Sequence, residues 1–174
     1  ALTSGANNNF IGYGAGKLQT DGANNVVIGT SAFSAADSGE TDCIAIGVNA
    51  LGNLNHADAD RNIAIGSGAG DGMGTLGAST DNIFIGKDSG GGTWANAVSS
   101  MNIGIGSYAM DAAMDDSLYN VGIGFAALSG LTEGDGNVTA GHQSGGTMST
   151  GSNNVSIGRN SSLELTTGSN NVVL

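Results

Sequence analysis

A six-residue phrase that recurs along the whole chain constrains the fold more than any other feature. Close copies read NNVVIG at 24–29, RNIAIG at 61–66, DNIFIG at 81–86 and NNVSIG at 153–158. The glycine that closes the phrase returns every 17 to 20 residues, and a tenth copy, NNVVL, stands at the end of the sequence. The closing glycines are Gly12, Gly29, Gly47, Gly66, Gly86, Gly106, Gly124, Gly141 and Gly158. A period of this length predicts a stack of similar structural units.

Each phrase except the first contains two aliphatic residues, one directly before the glycine and one two residues earlier; the first copy has Asn9 at the earlier position. This spacing places both side chains on the same face of a short strand. We expect that face to point into the core, because the residue between the two varies freely, from Ala45 to Phe84 to Ser156. The predicted isoleucine ladder consists of Ile28, Ile46, Ile65, Ile85, Ile105, Ile123 and Ile157.

An asparagine precedes each glycine by four residues, and Cys43 is the single departure. Asparagine tolerates the left-handed conformation and bonds readily to nearby backbone, and stacked asparagines can form amide ladders. The predicted ladder consists of Asn25, Asn62, Asn82, Asn102, Asn120, Asn137 and Asn154. A small residue, Ala or Ser, follows each glycine by three residues. This predicts a second, shorter side of the coil, in which a larger side chain would collide with its surroundings.

These regularities predict an all-β, parallel β-solenoid with one coil per repeat. We expect residues 1–174 to form a single array of about ten coils. Because both ends cut through a repeat and show no atypical capping sequence, we expect this array to be a segment of a longer fibre protein. A helical fold is disfavoured, because glycine and β-branched residues crowd the phrases and no 3.6-residue period survives between them.

The charge balance excludes two classes of partner. Four basic and fifteen acidic residues give a net charge of −11, so the chain is unsuited to neutralising the phosphates of nucleic acid. Attraction to an anionic membrane surface is equally unfavourable. No apolar run approaches the roughly 20 residues of a membrane-spanning helix. We expect neither a nucleic-acid partner nor membrane insertion, and we expect no cofactor.

The phrases NNVVIGTSA, RNIAIGSGA and NNVSIGRNS resemble the head repeat of YadA-like trimeric autotransporter adhesins. The connecting segments TTGSNNVVL and GANNNFIGYGAG are similar to related repeats in bacteriophage tail-fibre proteins. The resemblance implies a left-handed β-roll built by three chains, in a virion tail fibre or on a cell surface. The period here is longer than the 14 or 15 residues of the autotransporter repeat, which predicts outward loops. The expected function is a structural or adhesive rod for host attachment, with the head of a bacterial surface adhesin as the alternative.

The energetics of one coil also favour a homotrimer. Two buried aliphatic side chains contribute about 3–6 kcal/mol, whereas ordering a coil of about 17 residues costs roughly 1–2 kcal/mol for each residue's backbone. Hydrogen bonds between strands reduce the difference between this ordering cost and the gain from burial. A second burial surface between identical chains would close it further.

The widest intervals between glycines predict the loops that could contact a cell-surface glycan or protein receptor. Eleven of the fifteen acidic residues lie between positions 37 and 116, although acidic loops also serve simply to keep a rod soluble. Trp94 could stack on a sugar or anchor a partner, or it could cap a groove between adjacent subunits. The predicted contact residues are Trp94, Tyr108, Tyr119, His56, Asp58 and Asp60.

Metal and catalytic sites are disfavoured by the sequence. The segments EGDGN (133–137) and HADADR (56–61) are rich in oxygen ligands, yet neither completes an EF-hand loop, so we expect structural turns. His56 and His142 are far apart in the sequence and have no cysteine nearby, so a zinc site within one chain is not expected. The uniform repeats show no pair of carboxylates suited to acid and base roles, and we expect no enzymatic activity.

Overall fold

The chain folds into a single ten-stranded parallel sheet that winds as a solenoid. The computed structural model describes residues 4–37, 39–74, 77–94 and 98–174. Every strand pairs with the next strand along the chain, in the order β1 to β10, which confirms the predicted parallel β-solenoid. The strands are β1 (Asn9–Ile11), β2 (Val26–Ile28), β3 (Ile44–Ile46), β4 (Ile63–Ile65), β5 (Ile83–Ile85), β6 (Ile103–Ile105), β7 (Val121–Ile123), β8 (Val138–Ala140), β9 (Val155–Ile157) and β10 (Val172–Val173).

The coils stack in strict register, so that equivalent residues of successive repeats are direct neighbours. Ile46 of β3, for example, pairs with Ile28 on one side and Ile65 on the other. This arrangement explains why the phrase recurs, because every position must fit against a copy of itself one coil away.

The closing glycine of each phrase makes the turn that limits each strand to about three residues. Gly29 has a φ of 140°, and a Cβ placed there would come within 2.3 Å of the carbonyl oxygen of Gly47 in the next coil. A side chain at this position would therefore be strained and would also collide with backbone.

The core lies on the face of the strands opposite to the one predicted. Val27, Ala64 and Phe84, each the middle residue of a strand, are fully buried, whereas Ile65 remains 36% exposed and Ile105 is half-buried. The prediction that the Ile and Val pairs fill the interior of the coil is therefore wrong. A period of two separates the two faces of a strand but does not identify the inner one.

The interior tolerates very different middle residues because large and small side chains compensate for one another. The ring of Phe84 occupies the space that Gly90 and Gly104 leave open, since a Cβ on either glycine would approach the ring within 3 Å. Phe10 fills the space at Gly16 in the same way. The core is completed by the predicted small residues after each glycine, such as Ala32, and by residues further along the coil. The largest apolar side chains among these fully buried residues are Phe33, Leu51, Leu54, Met73, Met110, Met114, Leu128, Leu131 and Met148.

The predicted asparagine positions form a buried hydrogen-bonded ladder. Asn102 donates from Nδ2 to Oδ1 of Asn82 at 3.3 Å, and its own Oδ1 accepts from the backbone N–H and from Nδ2 of Asn120, both at 3.0 Å. The same contacts continue through Asn137 to Asn154. The ladder thus satisfies backbone and side-chain donors that would otherwise be buried without partners.

Cys43 interrupts the ladder between Asn25 and Asn62. The Cys43 backbone N–H donates to Oδ1 of Asn25 at 2.9 Å, but the thiol offers the next coil no amide oxygen. Instead, Sγ donates weakly to the carbonyls of Thr41 and Ala59, at 3.4 and 3.6 Å. Burial raises the pKa of the Cys43 thiol to about 12, so the thiol is neutral at physiological pH.

Candidate interaction surfaces

Trp94, the first of the predicted receptor contacts, belongs to the core instead. Only 7% of its surface is exposed, and its ring lies edge-on to Phe84 with the ring centroids 5.7 Å apart. Its backbone N–H donates to the carbonyl of Gly72 in the preceding coil at 3.1 Å. The prediction that Trp94 stacks on a ligand or caps an intersubunit groove is therefore wrong, because the side chain fills the interior of its own coil. Residues 95–97 of the same predicted loop lie outside the described residues, as do residues 75–76 of the loop before it.

His56, Asp58 and Asp60 do not converge on a common site. His56 Nδ1 accepts the backbone N–H of Asp58 at 3.3 Å, which closes a local turn. Oδ1 of Asp60 accepts the backbone N–H of Thr41 in the preceding coil at 2.8 Å. Among the described residues, no cluster of three or more His, Cys, Asp or Glu side chains could hold a metal ion.

Tyr108 lies in an aromatic cluster that was not predicted. Its ring meets the ring of Phe125 edge-on, with centroids 5.7 Å apart, and Phe125 stacks on His142 with centroids 5.2 Å apart and planes 15° from parallel. Lys87 Nζ lies 2.6 Å from the Tyr108 hydroxyl and 2.8 Å from a carboxylate oxygen of Asp88. The hydrogen bond to Asp88 is the main reason that the pKa of Lys87 is raised.

Lys87, Phe125 and His142 share one position in the repeat, directly after the closing glycine. We call the column of these residues the trailing corner, because they stand where the chain leaves the strand. Phe125 is 47% exposed, and His142 is also exposed. Register would have been the signal for this cluster, since residues that follow successive glycines must be neighbours in a solenoid. The trailing corner consists of Tyr13, Thr30, Val48, Ser67, Lys87, Ser107, Phe125, His142 and Arg159.

Tyr119 stands on the opposite margin of the same face, directly before a ladder asparagine. We call the column of residues at this repeat position the leading corner. Tyr119 is 58% exposed, and two coils below it Asp81 accepts two hydrogen bonds from Arg61, at 2.7 and 2.9 Å. These hydrogen bonds from Arg61 lower the pKa of Asp81. All members of the leading corner have φ between 57° and 64°, and they are Asn7, Asn24, Asp42, Arg61, Asp81, Met101, Tyr119, Gly136, Asn153 and Asn170.

Between the two corners lies a continuous aliphatic face that this single chain leaves uncovered. It is formed by the first and third residues of the strands, which are the predicted Ile and Val ladders turned outward. Exposure reaches 61% at Ile11, 44% at Ile123 and 40% at Val138. A face of contiguous aliphatic side chains along a whole sheet is unusual for a surface that meets only water, and such patches mark interaction sites.

Comparison with protein-family models, with curated proteins and with solved structures found no match. The likeness to the YadA-like head repeat therefore rests on the sequence phrases alone. Within the described residues, no helix has the length and apolar character needed to cross a membrane.

Proposed function

We propose that the chain is a non-catalytic rod segment of an extracellular fibre, assembled from three identical copies and contributing to host attachment. A bacteriophage tail fibre is the favoured setting, on the wording of the repeats. The observation that carries the proposal is the uncovered aliphatic face, which runs in register along the stacked strands and is broken by a polar residue only at Asn9. A rod that repeats one apolar face at every coil offers another copy of itself a matching surface.

The size of this face suits a stable interface. Covering the exposed half of an isoleucine or valine side chain contributes about 1 kcal/mol, and most of the strands present two such side chains. Each strand adds to this contribution, so the stability of the interface grows with the length of the rod. Ten strands at about 4.8 Å spacing form a rod roughly 43 Å long. Three copies follow from the resemblance to trimeric head repeats, and closed rotational symmetry is the usual form of such assemblies.

Analytical ultracentrifugation of the purified segment tests the assembly. We expect a sedimenting mass three times that of the 16.9 kDa chain. Ile105→Ser and Ile123→Ser together should shift the mass toward the monomer, because both remove aliphatic surface from the outer face. Leu18→Ser is the matched control, because it removes an aliphatic side chain that is 48% exposed but lies outside the strands and both margins of the face. A wild-type segment that sediments as a monomer at micromolar concentration contradicts the proposal.

Attachment is tested separately from assembly. The purified segment is added to bacterial cells, or to immobilised envelope glycans, and bound protein is measured. Saturable binding by the wild-type assembly, lost in the monomeric variant, supports a direct role in recognition because weak sites gain avidity from three copies. An assembled rod that binds no envelope preparation restricts the segment to a spacer between other parts of the fibre.

A further inference from the structure

We propose that neighbouring copies meet along an in-register seam, in which the trailing corner of one copy faces the leading corner of the next. This inference rests on the proposed assembly and specifies its contacts. The corners are the two margins of the aliphatic face, so any neighbours that cover this face bring their margins together.

Symmetry fixes which residues oppose each other. In a ring of copies around an axis parallel to the rod, rotation leaves every residue at its own height. The two corners of one strand are six residues apart in the same coil, and a whole coil rises only about 4.8 Å. Each trailing residue therefore meets the leading residue that flanks the same strand in the neighbouring copy.

The chemistry of the two corners is complementary under this pairing. At β5 the trailing residue is Lys87 and the leading residue is Asp81, which is the only level where both corners carry a charge. At β7 the exposed rings of Phe125 and Tyr119 stand at the same level. At β8 the imidazole of His142 faces Gly136, which has no side chain to obstruct it.

No level brings like charges together, and every pairing shifted by one coil loses the match. A shift of one coil in one direction sets Lys87 opposite Arg61 and Phe125 opposite Met101. A shift in the other direction sets Lys87 opposite Met101 and Phe125 opposite Gly136. The seam would therefore fix the register between copies as well as contribute to affinity, since juxtaposed like charges oppose association.

Charge reversal provides the first test, with the association constant measured by ultracentrifugation. Lys87→Glu and Asp81→Lys should each weaken association at least tenfold, and the double variant should recover most of that loss. Within one chain each reversal creates a repulsion, because the new carboxylate at position 87 lies beside Asp88 and the new ammonium at position 81 lies beside Arg61. Both repulsions persist in the double variant, so recovery can come only from a contact between copies. Arg61→Gln and Asp88→Asn are the controls, because they remove the same internal ion pairs and leave Lys87 and Asp81 in place. Arg61 belongs to the leading corner, but the seam pairs it with the uncharged Ser67.

Cysteine cross-linking provides the second test. In a Cys43→Ser background, Tyr119→Cys combined with Phe125→Cys should form disulfides under mild oxidation, and the largest covalent species should contain as many chains as the ring. Either cysteine alone should form no link, because the seam pairs unlike corners. Association of the wild type without recovery or cross-linking would overturn the seam and leave the proposed rod intact. Cross-linking by a variant with only one of the two cysteines would show that the same corner of two copies meets, and this would also overturn the seam. A monomeric wild type would overturn the proposed function and the seam together.

Discussion

Phe84 lies against Gly90 within one coil, and the missing side chain of the glycine makes room for the ring. A Cβ on Gly90 would stand 2.7 Å from the ring carbon Cγ. The same position in other coils holds Leu51, Met110 and Leu128 at φ of 49° to 52°, so the ring of Phe84, and not the backbone conformation alone, requires glycine here. This pair shows how a solenoid with so narrow an interior accommodates a large aromatic side chain.

Gly90→Ala should therefore destabilise the fold. We expect the free energy of unfolding to fall by about 1–3 kcal/mol, from overpacking against the ring, measured as a lower midpoint of chemical denaturation. Gly74→Ala is the matched control, because nothing lies within 4 Å of a Cβ placed there. Adding Phe84→Leu to Gly90→Ala should recover part of the loss. Equal stability of the two alanine variants would contradict the packing described for Phe84.

Trp94→Ala should cost about 3–5 kcal/mol of stability, because it opens a cavity beside Phe84. Trp94→Leu should cost less, since leucine fills the related core positions Leu54 and Leu131. The native tryptophan fluorescence should be blue-shifted and poorly quenched by iodide. If iodide quenches the tryptophan freely and the alanine variant is as stable as the wild type, Trp94 lies on the surface and its placement in the core is wrong.

The two faces of β4 should respond differently to a charge. Ala64→Asp places an unpaired carboxylate in the core and should unfold the neighbouring coils, because such burial costs several kcal/mol. Ile65→Asp places the carboxylate on the outer face, so the coils should persist while association is lost. Circular dichroism reports the fold, and ultracentrifugation reports the association. Retained coils in both variants would mean that Ala64 is not enclosed.

The repeat sequence was sufficient to predict the solenoid, its coil boundaries and its asparagine positions, because in-register stacking leaves the same demand at each copy. It did not identify the inner face of the strands. The alternation of Ile65 with Ala64 is compatible with either residue pointing into the core. The compensation in size between Phe84 and Gly90 carried that information, but it appears only once the two positions are known to be neighbours. The prediction for Trp94 is wrong because a tryptophan in a wide interval between glycines can also lie in the core. Nothing in the repeat pattern marks position 94, eight residues after Gly86, as a core position.

The thiol of Cys43 should be inert in the folded protein. Its pKa is raised from 9.0 to about 12, chiefly by burial, so almost no thiolate forms at pH 8. Alkylation by iodoacetamide should be at least 100-fold slower than in denaturant. Because the folded pKa is the higher one, the stabilisation from the buried neutral thiol is complete below pH 9 and declines as the pH rises toward 12. Rapid alkylation of the native protein at pH 8 would contradict the burial of this side chain.

Repair of the asparagine ladder at its one gap should stabilise the rod. In Cys43→Asn, the new Nδ2 would take the place of Sγ and donate to the carbonyl of Ala59, as Asn62 donates to the carbonyl of Ser79 at 2.8 Å. Its Oδ1 would accept the backbone N–H of Asn62, the contact that every later rung of the ladder makes. Two hydrogen bonds of ordinary strength would replace two weak contacts of the sulfur, which predicts a gain of about 1 kcal/mol.

Denaturant titration measures this gain, and two further substitutions calibrate it. Cys43→Ala removes the thiol without adding an amide and should be neutral or slightly destabilising. Asn102→Ala should lose about 1–3 kcal/mol, because it orphans the buried backbone N–H of Asn120 and removes one of the three acceptors of its Nδ2. If Cys43→Asn proves no more stable than Cys43→Ala while Asn102→Ala shows its loss, an asparagine at position 43 does not join the ladder, although Asn25 and Asn62 flank it in the neighbouring coils.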